Sequence, residues 1–294
     1  MIATTMPADI HSVNHVGMAV RDMAKTAARF EAMGFVLTPF SLHAGAWKPN
    51  DAVAKLAYGN RCVMFQSNYL EILASESSEA PSARIAGFLS RHQGAHIICF
   101  GTEDPGAVDR RLKAGGMKTS GVLPLQRDIE THEGMRTAKF VRVQFSPEAS
   151  PEGFIQAARH LTPQYIHQPR FMTHPNKCVA LSEVFLVTAE PEALEAKYAR
   201  YCDRPSESAP FRRRFTFPLV SKVSIVAAQH AHRVLPGSLM PALPCIAGIA
   251  MQTSDLSGLR RRLRNGGIAY TDHEHKVIVP AEEAMGVAIV FEES

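Results

Sequence analysis

The stretch "VNHVGMAVRDMAKTAARFEAMGF", residues 13–35, sets the architectural unit of this chain. Val13, Val16, Met18 and Val20 read as a buried β-strand, and Arg21-Asp22 punctuates it. Ala24, Ala27, Ala28, Phe30 and Met33 then form one helical face, which Gly34 closes. The same design returns three times. "AHIICFGTEDPGAVDRRLKAGGM" is strand, acidic turn and helix, ended by Gly115-Gly116. "SEVFLVTAEPEALEAKYARYCDRP" has Pro191 suited to a first helical turn, and "IAGIAMQTSDLSGLRRRLRNGGI" ends on Gly266-Gly267.

Each strand–helix pair precedes further strand-like runs. In the first copy these are "VLTPF", "RCVMFQS" and "NYLEILA"; in the second, "GVLPLQR", "TAKFVRVQFS" and "GFIQAARHL". The third offers "RRFTFPLVSKVSIVAAQ", and the fourth "IAYTD", "HKVIVPA" and "GVAIVFEE". The unit is thus β-α-β-β-β. One such unit cannot bury both its sheet and its helix, so the units should pair. The Pro- and His-rich "LTPQYIHQPRFMTHPNK" separates the second copy from the third.

In this ordered series the chain resembles the vicinal oxygen chelate superfamily, which groups glyoxalases, bleomycin-resistance proteins and extradiol dioxygenases. The segments "NHVGMAVRDMAKTAARFEAMGF", "NYLEIL" and "GFIQAARHLTP" resemble its bacterial glyoxalase-like-domain subgroup. The resemblance implies an α+β fold of four βαβββ modules, paired into two domains around clefts. Residues 10–162 would form a metal-bearing domain, 163–178 a linker, and 179–294 a second domain without metal.

The bulk composition is compatible with this. The chain has 294 residues, of which 46% are hydrophobic and 20% charged, enough for a full core. Net charge is +4, and the triplets Arg212-Arg213-Arg214 and Arg260-Arg261-Arg262 are too short for a nucleic-acid footprint. The five cysteines are scattered without CxxC spacing, so they read as buried small hydrophobes in a reducing compartment. The opening residues lack a signal-peptide pattern and no long apolar run occurs, so a cytoplasmic location is expected.

His15 interrupts an apolar strand, where a lone histidine is ordinarily a satisfied core residue. Superposing the first two units by their helix starts sets His96 at the corresponding place. Glu71 lies among Leu70, Ile72 and Leu73, where a carboxylate is costly unless paired or bound to a cation. The resemblance implies that first and last strands of both modules supply ligands to one divalent transition metal, Zn²⁺, Ni²⁺, Co²⁺, Mn²⁺ or Fe²⁺. On that basis His15, Glu71 and His96 are expected ligands. The fourth position lies near Gln156, but Gln156 and His160 share a strand face, and the imidazole is the stronger donor. His160 is therefore expected to ligate, with Gln156 beside it as ligand or substrate contact.

Other candidates carry weaker signals. His43 and Trp47 fall in a loop that could cover the cleft or lie in solvent. Lys139 and Arg142 point to opposite faces of one strand, so one of them could meet an anionic substrate. His167, Arg170 and His174 read as connector residues, and His230, His232, His273 and His275 as surface residues. Glu183 occupies roughly the place of His15 in the third copy.

The expected activity is a metal-dependent lyase or isomerase acting on a small oxygen-chelating metabolite. The residues alone do not single out a general base, and the resemblance to glyoxalases, where a metal-bound carboxylate can serve, makes Glu71 a catalytic candidate. An Fe²⁺ extradiol-type dioxygenase and a non-catalytic binding or resistance protein are the alternatives. The expected partner is a small-molecule substrate, with neither nucleic acid nor membrane; a homodimer is left open.

Overall fold

The computed structural model describes residues 9–46, 48–77 and 79–294. All four repeats fold as βαβββ. The first comprises β1 (Ser12–Ala19), α1 (Met23–Ala32), β2 (Ser41–Gly45), β3 (Ala54–Met64) and β4 (Tyr69–Ser75). An additional helix, α2 (Ala83–Arg91), leads into the second: β5 (Gly94–Gly101), α3 (Pro105–Ala114), β6 (Thr119–Thr131), β7 (Gly134–Phe145) and β8 (Phe154–His160). A connector carrying α4 (Pro163–Ile166) follows. The third repeat is β9 (Cys178–Thr188), α5 (Pro191–Cys202), β10 (Glu207–Ala209), β11 (Arg212–Phe217) and β12 (Ser221–Ala227). After α6 (Ala231–Val234) comes the fourth: β13 (Cys245–Thr253), α7 (Leu256–Asn265), β14 (Thr271–His273), β15 (Lys276–Val279) and β16 (Ala288–Glu293).

In the first, second and fourth repeats the acidic turn supplies a helix cap. Asp22 accepts from Lys25 N–H, Asp104 from Gly106 and Ala107, and Asp255 from Gly258. Each satisfies donors that the first helical turn leaves open. Gly34 then leaves α1 at φ +90°, a conformation that disfavours residues with a Cβ.

The two halves differ in closure. The first two repeats make a closed barrel in the order β1-β4-β3-β2-β6-β7-β8-β5. Its seams are the antiparallel pairs β1–β5 and β2–β6. The last two repeats make an open eight-stranded sheet, β10-β11-β12-β9-β13-β16-β15-β14, whose end strands do not meet.

One apolar core serves both halves. Val16 and Met18 of β1 and Leu70 and Ile72 of β4 point out of the barrel into it. There they join Phe30 of α1, Val184 and Leu186 of β9, and Leu259 and Leu263 of α7. The opposite face of the second sheet is filled by its own chain. Ala231, Val234 and Leu235 pack there against Phe185, Val187, Ala247 and Val290.

Candidate functional site

Strand alternation sends every second residue of the barrel inward. Along β4 the inward residues are Tyr69, Glu71 and Leu73, and along β8 they are Phe154, Gln156, Ala158 and His160. With His15, His43, Arg127 and Arg142 they line a cavity of about 50 Å³, counted as space for the centres of water-sized molecules.

Glu71 is its polar centre. The His15 Nε2 lies 3.7 Å from Glu71 Oε2, and His43 Nε2 lies 3.6 Å from Glu71 Oε1. Neither contact is an ion pair, because burial holds both imidazoles well below the ordinary histidine pKa, and nearby cations add to this. His15 donates its Nδ1 proton to Asn14 Oδ1 at 2.8 Å, which turns the Nε2 lone pair toward the carboxylate. His43 Nε2 is buried without a hydrogen-bond partner. Glu71 itself is raised above the usual carboxylate range by burial, against the pull of Arg127 and Asn60. Asn60 Nδ2 donates to Glu71 Oε1 at 2.5 Å, and Asn60 Oδ1 accepts from Arg127 Nη1, so Arg127 reaches Glu71 through the amide.

His160 and Gln156 share the inward face of β8, as the strand period requires. His160 packs edge-on to Phe140, 5.0 Å between ring centres, and its Nε2 is also buried without a partner. Burial brings its pKa down to about 3, helped by His167. Gln156 Oε1 accepts from Arg142 Nη1 at 3.3 Å.

His96 does not join this group, and the expectation that pairs it with His15 is corrected. It lies on the outer face of β5, stacked between His92 and Phe88 of the α2 region, with ring centres at 4.1 and 4.9 Å. Its Nε2 contacts the His92 carbonyl at 2.8 Å. The reason is a one-residue register difference, which exchanges the two faces of a strand. His15 stands seven residues before the capping Asp22, and Ile97, not His96, stands seven before the capping Asp104. Ile97 accordingly lines the cavity. Alignment on the capping aspartates, rather than on the start of the helical pattern, identifies it.

His43, expected in a loop, is instead buried on β2. Of the strand pair Lys139 and Arg142, Arg142 enters the cavity while Lys139 is exposed. Arg84 arrives from α2, a helix signalled by Ile85, Phe88 and Leu89 at helical spacing but absent from the repeat pattern. Trp47 lies outside the described residues. His167 and His174 pin the connector to the barrel through the Phe65 and Met64 carbonyls. In the second half Glu183 is buried against Arg212 and Arg214, with Nε atoms 3.3 and 3.4 Å away, and accepts from Ser224.

The family model described as a glyoxalase-like domain matches residues 13–202. This chain belongs to the glyoxalase-like domain family. It is a member of the vicinal oxygen chelate superfamily, and two solved structures share the fold across nearly the whole chain. A hypothetical protein from Staphylococcus aureus aligns with a TM-score of 0.62 at 12% identity, covering 97% of this chain and 100% of its own. A variant of 4-hydroxymandelate synthase from Streptomyces coelicolor aligns with a TM-score of 0.59 at 13% identity, covering 97% and 93%. A comparison with curated proteins finds no match.

Members of this superfamily commonly bind a divalent metal. Among the described residues no three His, Cys, Asp or Glu side chains already stand at metal-holding separations. The donor chemistry nevertheless fits a cation. Two neutral imidazoles stand with Nε2 near the two oxygens of one carboxylate. Ligands about 2.1 Å from a shared ion sit roughly 3.0–3.4 Å apart, and the two imidazole–carboxylate separations here are 3.6 and 3.7 Å. Asn14 supplies the outer hydrogen bond that fixes such a histidine. No helix among the described residues is long and apolar enough to cross a membrane.

Proposed function

We propose that this protein is a metal-dependent lyase or isomerase of the glyoxalase type, which moves a proton on a small oxygen-bearing substrate inside the barrel. The observation that carries the reading is the facing of His15 and His43 Nε2 onto the two oxygens of Glu71. These three residues would hold a divalent transition metal, with His160 as a fourth donor; His96 takes no part. Bound there, the ion would stabilise negative charge developing on substrate oxygen.

The remaining chemistry belongs to the chain. In the metal-free chain burial raises the Glu71 pKa, and a carboxylate at this place is suited to taking a proton from carbon. Asn60 fixes its Oε1 and leaves Oε2 as the basic atom. Arg127, acting through Asn60, keeps the ionised form accessible despite burial. Tyr69 stacks on His15 at 4.5 Å and holds the ring plane.

His15, His43 and Glu71 are also a two-histidine, one-carboxylate set of the kind used by Fe²⁺ oxygenases, which favours a dioxygenase as the second reading. Elemental analysis of untagged protein tests the metal, with about one equivalent per chain expected and loss in the His15→Ala, His43→Ala double variant. Proton exchange from hydroxycarbonyl substrates in D₂O without oxygen uptake supports the isomerase; iron-dependent oxygen consumption moves the protein to the second reading. Full metal retention in the double variant overturns both.

A further inference from the structure

The cavity holds a second polar feature that the proton-transfer chemistry leaves unused. Arg142 of β7 is 3% exposed, yet its Nε has no hydrogen-bond partner. Its Nη1 reaches only the neutral Gln156 Oε1, at 3.3 Å. Among the described residues no carboxylate stands within ion-pair distance of it. A second guanidinium lies close by: Arg84 sits 3.9 Å above the Phe154 ring, and Arg142 lies 5.6 Å from the same ring. Two cations thus flank one aromatic side chain.

A buried cation whose partners are neutral is destabilised unless an anion completes its coordination. Burial, with Arg84 next, lowers the Arg142 pKa only to about 10, so the charge persists at neutral pH. The guanidinium edge carrying Nε and one Nη presents two parallel donors, the geometry that matches two oxygens of one carboxylate.

We propose that Arg142 receives the carboxylate of a small organic acid, whose oxygen-bearing carbon then faces Glu71. This assignment rests on the cavity being the substrate site. The space available, about 50 Å³ for solvent-sized centres, corresponds to roughly three to five waters. It suits a carboxylate on a short carbon chain better than a phosphate, which is larger and more highly charged. Phe154, Ile97 and Leu125 supply apolar walls for that chain.

Calorimetric titration of the full chain with lactate, lactamide and inorganic phosphate tests the assignment. Lactate should bind, and its neutral isostere lactamide should bind at least ~10-fold more weakly, because a charge-assisted pair is lost. Arg142→Gln should weaken lactate binding ~10- to 100-fold. Arg142→Lys should fall between the two, keeping the charge but losing the two-donor edge. Should Arg142→Gln fail to fold, the lysine variant and the lactamide comparison still decide. Equal affinity for lactate and lactamide, lactate binding indifferent to either variant, or phosphate binding tighter than lactate would overturn the assignment. Metal content, measured in parallel, separates the two proposals. Arg142-dependent lactate binding by protein that takes up no metal upholds the subsite and removes the metal reading. Normal metal content with lactate binding indifferent to Arg142 does the reverse.

Discussion

His43 and Arg127 sit directly opposite one another where β2 pairs with β6, the seam that completes the barrel. The same pairing that closes the sheet therefore sets an imidazole and a guanidinium on either side of the Asn60–Glu71 hydrogen bond. The end strands of the second sheet, β10 and β14, do not meet, and no comparable interior forms there. Closure and site assembly are one event in this fold.

Replacing the base tests the role of Glu71. Glu71→Gln keeps an oxygen to accept from Asn60 but cannot take a proton. It should lower kcat/KM ~10²- to 10⁴-fold. The melting temperature should not fall, since an acid buried at a cost is replaced by a neutral amide. Steady-state kinetics with a thermal melt of the same sample checks both; retention of activity would remove Glu71 as base.

The histidine that faces outward should be dispensable for metal. His96→Ala is expected to leave metal content unchanged, while Ile97→His places an imidazole on the inner face of β5 and should tighten metal binding. Competition against a chromogenic chelator measures each. Metal loss in His96→Ala would contradict the separation of that residue from the cavity.

Much of this arrangement is legible in the chain. The repeat, its capping aspartates and the strand alternation suffice to point His15, Glu71, Gln156 and His160 inward. Three kinds of information are not. A one-residue offset arises when the first helical pattern is begun at Ala24, although the helix starts at Met23, and it exchanges His96 for Ile97. His43 lies between Ser41 and Gly45 in a stretch with loop-like residues, and pairing with β3 on one side and β6 on the other makes it a strand. Helix α2 belongs to no repeat, so Arg84 has no counterpart to announce it. Local pattern specifies faces, whereas long-range pairing decides which faces enclose the same space.

Stability of the metal-free protein should depend on pH through the buried histidines. His160 has a folded pKa of about 3, below its ordinary 6.5, so the unfolded chain takes up the proton first. Its contribution is present above pH 6.5 and is lost as pH falls toward 3, at up to ~1.4 kcal/mol per pH unit. His15 and His43 are lowered likewise and act in the same sense. Glu71 is raised, so it opposes the trend below the range of its folded pKa. Urea midpoints between pH 7 and 5 should fall, and less steeply in His160→Asn; equal slopes would count against burial as the cause.

Gly17 makes room for the cavity wall. A Cβ there would come within 2.8 Å of the Ile97 Cβ and 2.9 Å of its Cδ1. Gly17→Ala should therefore push Ile97 inward, costing about 1–3 kcal/mol by overpacking and narrowing the cavity. Chemical denaturation reads the first effect and weaker lactate binding the second.

The segment packed over the open face of the second sheet has a consequence for how the molecule changes over evolutionary time. Its filling residues, among them Ala231, Val234 and Leu235, need only conserve apolar volume, a requirement that many combinations of side chains meet. The barrel interior has no comparable latitude, because each buried donor or acceptor there constrains its neighbours. The two halves of one duplicated architecture should therefore tolerate substitution unequally, most freely at the apolar residues of 228–240. Loosening that segment would uncover the sheet face of Phe185, Val187, Ala247 and Val290, which lies in the half of the molecule that does not line the barrel cavity.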